Sequence, residues 1–115
     1  MTHWSFVIIF DKKKINKSKY TEDILYDYID KNVKRYNIKR ISQNQWKADE
    51  NNKANSQYNA LSLLTKQDWI MKNVKSIIAY ENNSKPIDYL AIVKEYFPER
   101  MIWHNLVTMV WYILE

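Results

Sequence analysis

The apolar pattern of the chain opens with five consecutive residues, Phe6, Val7, Ile8, Ile9 and Phe10, mostly β-branched or aromatic and bounded by Ser5 and Asp11. The run is too short for a membrane span, and its composition predicts a strand over residues 5–11 that is buried on both faces. Burying each such side chain is worth roughly 1.5–3 kcal/mol, enough to anchor a small core. Its last residue is a carboxylate, Asp11, followed by Lys12, Lys13 and Lys14. Groups just beyond the carboxyl end of a central strand face solvent while the strand holds them still, which makes Asp11 a candidate site residue.

Residues 12–19 read as a polar, basic connector. Leu25, Tyr28, Ile29, Val33 and Tyr36 then recur at helical spacing, predicting a helix over residues 21–36. Its acids, Glu22 and Asp23, lie in the first turn and its bases, Lys34 and Arg35, in the last, as the helix dipole prefers. Asn37 is a natural left-handed stop. Residues 38–46 read as a second strand with one face that is wet or covers a partner, and residues 47–53 as a charged turn. A helix follows over residues 52–65, with Ala54, Tyr58, Leu61 and Leu64 inward, and a third strand over residues 74–80. Ser84 is placed to cap a helix that has Pro86 in its first turn, Ile87, Leu90, Ala91, Val93 and Phe97 on one face, and Pro98 as its stop. Apolar residues at 102, 103, 106, 107, 110, 111 and 114 predict a last helix, packed on the core or on a second subunit. The order of strands and helices predicts an α+β sandwich with a mixed sheet and helices on one face.

Composition narrows the chemistry. The 115 residues suffice for one domain, and 46% apolar residues with five Trp and nine Tyr predict a globular chain. No apolar run reaches the ~20 residues of a membrane span, and no basic segment precedes a long apolar one, so a soluble, cytoplasmic protein with no membrane partner is expected. Without cysteine there is no disulfide or thiolate chemistry. Without glycine there is no GxGxxG or Walker loop, and positive-φ turns fall to Asn or Asp. The net charge of +5 is uneven: residues 12–53 carry twelve Lys/Arg against six Asp/Glu, whereas residues 54–115 carry six of each. A basic first half favours a polyanionic partner, nucleic acid above all. His3 and His104 stand near opposite termini without ligand spacing, and neither points to zinc or to histidine chemistry.

Asn59-Ala60-Leu61, then Trp69, Val74, Lys75, Ile77, Ala79, Tyr80 and Glu81, resembles the second half of the virulence-associated protein D (VapD) family. Residues 6–11 match that family's opening strand, which also ends in Phe-Asp, and Arg40-Ile41 after Asn37-Ile38 matches its second strand. The likeness spans roughly residues 4–97; residues 98–115 have no counterpart and form a C-terminal helical extension. The resemblance implies a ferredoxin-like βαββαβ sandwich with an antiparallel or mixed sheet, a homodimer, similarity to the small CRISPR adaptation nucleases, and an endoribonuclease of toxin type. It assigns the catalytic acid to Asp11. Where the family has a Gln-Gly-Ser segment, this chain reads Ser42-Gln43-Asn44-Gln45-Trp46, with Asn44 nearest the serine position, and two family arginines are Lys75 and Ile78.

Phosphodiester cleavage needs a base or metal to activate a nucleophile and cations to stabilise charge on phosphorus. Asp11 is the candidate base or Mg²⁺ ligand, with Asn44 beside it as a catalytic candidate. Lys12, Lys13, Lys14, Arg35, Lys39 and Arg40 are the candidate phosphate contacts, and Trp46 is the candidate base-stacking platform. Two readings follow. One is an RNA-cleaving homodimer, with Mg²⁺ as a candidate cofactor and an antitoxin or other protein as a further partner. The other is an inactive module of the same fold that binds protein or nucleic acid, favoured by the loss of the serine hydroxyl and of a guanidinium. In both, a two-fold dimer would use the sheet, with the tail adding to the interface or sealing the open face.

Overall fold

The computed structural model describes residues 4–16, 20–49, 53–82, 85–102 and 104. Strand β1 (Ser5–Phe10) is the centre of a five-stranded sheet. Phe6, Ile8 and Phe10 are buried, while Val7 is half-buried and Ile9 is 39% exposed. The apolar run is therefore not buried on both faces. Alternate residues point to opposite sides of a strand, and the helices cover only one of them.

The connector expected after β1 contains a short helix, α1 (Lys12–Asn16). Helix α2 (Glu22–Val33) starts as its sequence predicts, with Thr21 accepting from the Ile24 amide at 3.3 Å. It runs on as a 3₁₀ turn, Lys34–Tyr36, and is closed by Asn37 at φ 57°, the one positive φ among the described residues. Leu25, Tyr26, Ile29 and Val33 face the core. Tyr28, expected inward, is 38% exposed and meets the rings of Trp69 and Tyr20 edge-on.

The single strand expected over residues 38–46 is a hairpin, β2 (Ile38–Ser42) and β3 (Gln45–Ala48), turning at Gln43 and Asn44. The turn lacks the Asn-Gly signature that marks such hairpins, and its Ser42 and Asn44 do not by themselves separate a reversal from a polar strand. A register shift between Arg40 and Ser42 reconciles the two strands. Lys47 and Ala48, expected in a turn, complete β3.

Helix α3 (Lys53–Thr65) buries Gln57, Ala60, Leu61, Leu64 and Thr65, while Ala54 is exposed and Tyr58 half-buried. A short helix, α4 (Asp68–Met71), leads into β4 (Val74–Tyr80), whose bounds agree with the sequence. Strand β5 (Ile87–Asp88) was not expected; it gives way to α5 (Tyr89–Tyr96), capped by Asp88, which accepts from the Ala91 amide at 3.2 Å. Ser84, the expected cap, lies outside the described residues. A 3₁₀ turn, Pro98–Met101, follows Phe97, and Arg100 ties it to α3 by donating to the Ser62 carbonyl and Thr65 Oγ1. Of the helix expected over the tail, Ile102 is exposed and His104 half-buried; residues 103 and 105–115 lie outside the described residues.

The strand order is β2-β3-β1-β4-β5, and every pairing is antiparallel. Through β4 the path is βαββαβ with β1 and β3 inside, the ferredoxin-like arrangement, and β5 widens the sheet by one edge strand. The main core lies between the sheet (Phe6, Ile8, Trp46, Ile77) and the helices (Leu25, Ile29, Leu61, Leu64). The Tyr58 ring of α3 stacks on Tyr89 of α5 at 6.3 Å, joining these two helices. No helix among the described residues is long and apolar enough to cross a membrane.

Candidate functional site

Asp11 leaves β1 at its carboxyl end, where its amide donates to the Asn73 carbonyl at 2.8 Å. Its carboxylate caps α1: Oδ1 accepts from the Lys13 amide at 3.0 Å and the Lys14 amide at 3.4 Å. This is the ordinary work of an N-cap aspartate, and it turns the lysine run into a helix start. The cap also fixes where the three lysines go. Lys12 and Lys13 are exposed, whereas Lys14 is only 6% exposed.

Lys14 Nζ approaches His104 Nδ1 at 3.4 Å, a contact between residues ninety positions apart. The same ring nitrogen lies 3.1 Å from the Met71 carbonyl. An ammonium only donates and a carbonyl only accepts, so Nδ1 hydrogen-bonds one of the two in each tautomer. Burial pushes the Lys14 ammonium below its usual pKa range, and the Asp11 carboxylate works against that shift. Burial also pushes His104 down, helped by the Lys14 charge and opposed by the Met71 carbonyl and Asp11. The cluster thus joins a carboxylate, a desolvated amine and an imidazole biased to its neutral form. His104 gave no signal in the sequence, because only the fold brings it beside Lys14 of α1 and Met71 of α4.

Asn44 lies toward the same end of the sheet: its carbonyl accepts from the Ile8 amide at 3.0 Å, in the turn that follows β2. The other predicted residues divide differently. Arg40 is engaged by α2, with Nη2 3.3 Å from Asp27 and 3.0 Å from Asp30, and it donates to the Gln43 carbonyl at 3.4 Å. Trp46 is fully buried, stacked on Phe6 at 5.6 Å and donating from Nε1 to Asp30 at 2.8 Å. A base cannot stack on a ring enclosed in the core, so Trp46 is corrected from a platform to a packing residue. Arg40 and Trp46 together bind the hairpin to α2.

Lys39 and Arg35 lie toward the opposite end of the sheet. Lys39 pairs with Lys47, and Lys47 with Ser5 at the start of β1. With Lys34, Ile38, Ile41 and Asp49 these lysines line a groove of about 530 Å³. Arg35 is exposed and lies over the Tyr36 ring at 5.4 Å. The length of β1, about 20 Å by strand rise, separates this basic region from Lys12–14.

For Mg²⁺ the donor set falls short. Among the described residues no group of three His, Asp or Glu side chains that could hold a metal ion comes together. One Asp11 oxygen is spent on backbone amides, and the neighbouring side chain is an amine. Within one subunit these residues do not build a Mg²⁺ site. Comparison of the chain with protein-family models and with curated proteins finds no match.

Proposed function

We propose that this chain is a VapD-like endoribonuclease that acts as a homodimer, cutting RNA at the carboxyl end of β1. The observation that carries the reading is the Asp11–Lys14 arrangement: the carboxylate that ends the central strand caps the short helix on which Lys14 is buried, and its charge favours the ammonium form of that lysine. In such surroundings a cation stabilises developing phosphate charge more strongly than it would in water. Lys12 and Lys13, exposed on the same short helix, supply phosphate attraction. Asp11 acts here as a positioning residue, holding α1 in place and favouring the charged form of Lys14. A second subunit would cover the face that carries Val7, Ile9 and Ile78, which the described helices leave partly open. A toxin role, an antitoxin partner and a cytoplasmic setting belong to the same reading.

The second reading, a non-catalytic binding module of the same fold, is favoured by the ordinary N-cap role of Asp11 and by the engagement of Arg40 with Asp27 and Asp30. An RNA cleavage assay on wild type and Asp11→Asn separates the two. The amide keeps an oxygen to cap α1 and removes the charge. Cleavage by wild type and a strong loss in the variant are expected; RNA binding without cleavage by wild type selects the module.

A further inference from the structure

The groove beside the β2–β3 hairpin lies a strand length from Asp11 and takes no part in the chemistry proposed there. We propose that it binds a nucleoside phosphate, with the phosphate held between Lys39 and Lys47 and the base against Ile41. The inference needs no cleavage step, so it applies to the RNA-cutting enzyme and to the binding module alike.

The arrangement of charge carries it first. Lys39 and Lys47 are directly opposed on β2 and β3, so their side chains leave the same face of the sheet with Cβ atoms about 5 Å apart. Lys34 lines the same groove, because Asn37, at φ 57°, turns the chain from the 3₁₀ turn into β2. The Asp49 amide donates to the Asn37 carbonyl at 3.1 Å and holds that corner to β3. Among the described residues no ion pair engages Lys34, Lys39 or Lys47, whereas Arg40, the next residue of β2, is taken by Asp27 and Asp30. Facing ammoniums repel, and a phosphate between them removes the repulsion while accepting from both. The carboxyl end of a helix carries partial negative charge, which puts the phosphate toward Lys39 and Lys47 and leaves Lys34 at the rim.

Shape and polarity choose the rest of the ligand. A volume of about 530 Å³ is of the size that holds a small molecule. Ile41 is 54% exposed and stands unpaired at the register shift between Arg40 and Ser42, where a bulge re-aims its side chain. Ile38 and Ala48 also line the groove. A bare anion has no use for an apolar wall, and neither has the carboxylate of an acidic peptide. A nucleobase brings a flat apolar face beside its phosphate.

A free nucleotide and a nucleotide within an RNA strand present the same chemistry, and the test separates them. Amide NMR spectra of the full-length chain are followed with four probes: mixed ribonucleoside 5′-monophosphates, inorganic phosphate, a mixed-sequence 2′-O-methyl RNA octamer and a polyglutamate peptide. Shifts are expected at residues 37–41 and 47–49 with the nucleotides. Replacing Lys39 and Lys47 together by Gln should raise the nucleotide Kd by about 10-fold or more. Ile41→Ser should raise it by about threefold or more while leaving that of inorganic phosphate unchanged. Urea unfolding checks that both variants fold. An octamer about 10-fold tighter than the mononucleotides assigns the groove to an RNA strand, and equal affinity assigns it to a free nucleotide; either supports the inference. Inorganic phosphate binding as tightly as the nucleotides overturns it, as do nucleotide shifts only outside the groove, or polyglutamate shifting these residues where the nucleotides and the octamer do not. Such a failure leaves the cleavage reading standing, because that is decided by Asp11→Asn at the other end of β1.

Discussion

Both ends of the sheet are rich in lysine, but they hold it differently. At the carboxyl end of β1, Lys14 is buried against His104 and near the charge of Asp11, so neighbours alter its proton affinity. At the outer end of the β2–β3 hairpin, Lys39 and Lys47 stand directly opposite each other on a groove whose lining includes one acid, Asp49. Like charges facing across strands are mildly destabilising, and salt screens them when they face water. The first arrangement shifts the proton affinity of a buried cation; the second leaves its cations on an open groove to attract a counter-charge. Positive charge in a sequence therefore gives the total, whereas burial and neighbours decide how each charge behaves.

The harshest way to break this comparison is to loosen the element that carries one of its sides. Trp46→Ala removes the largest fully buried side chain among the described residues and leaves the Asp30 carboxylate without its indole partner. A loss of about 3–5 kcal/mol is expected in urea unfolding. A loss under about 1 kcal/mol would show that the hairpin is not pinned to α2 through this ring.

The chemistry of the first end can be isolated by pH. The folded chain holds His104 below its ordinary pKa of about 6.5, so the unfolded chain takes up the proton first as pH falls. Stability from this residue is fully present above that value and declines below it. The Lys14 charge sharpens the decline, whereas Asp11 and the Met71 carbonyl soften it. The urea midpoint is expected to fall more between about pH 7.5 and about pH 5.5 in wild type than in His104→Asn. Equal falls would show that the folded state accommodates the imidazolium as readily as water does.

The smallest effect on stability is expected at the other end. Replacing Lys39 and Lys47 together by Gln is expected to change stability by no more than about 0.5 kcal/mol. The same change should reduce the salt dependence of RNA binding by about 1.4 in logarithmic slope, at about 0.7 per phosphate contact on a single strand. An unchanged slope would remove this groove from the RNA path.

Much of the scaffold was legible from local pattern. The strand at residues 74–80, the helices near residues 21–36 and 52–65, and the left-handed stop at Asn37 follow from periodicity, capping and backbone preference, which act over a few residues. The hairpin did not, because Arg40 to Trp46 carries no glycine and its Ser42 and Asn44 suit a polar strand as well as a turn; the reversal shows only in the pairing of β3 with β1 and β2. Asp11 was legible as a strand-end acid, but its use as a cap depends on α1 forming from residues that read as a connector. The fate of each cation was not legible, since Arg40 finds Asp27 and Asp30 on another element and Lys14 finds a histidine from the far end of the chain. Local pattern specified the longer strands and helices and the total charge, because these depend on neighbours in the chain. Which charges are desolvated and which meet is settled by the folded arrangement, because burial and long-range contact exist only after the chain has closed on itself.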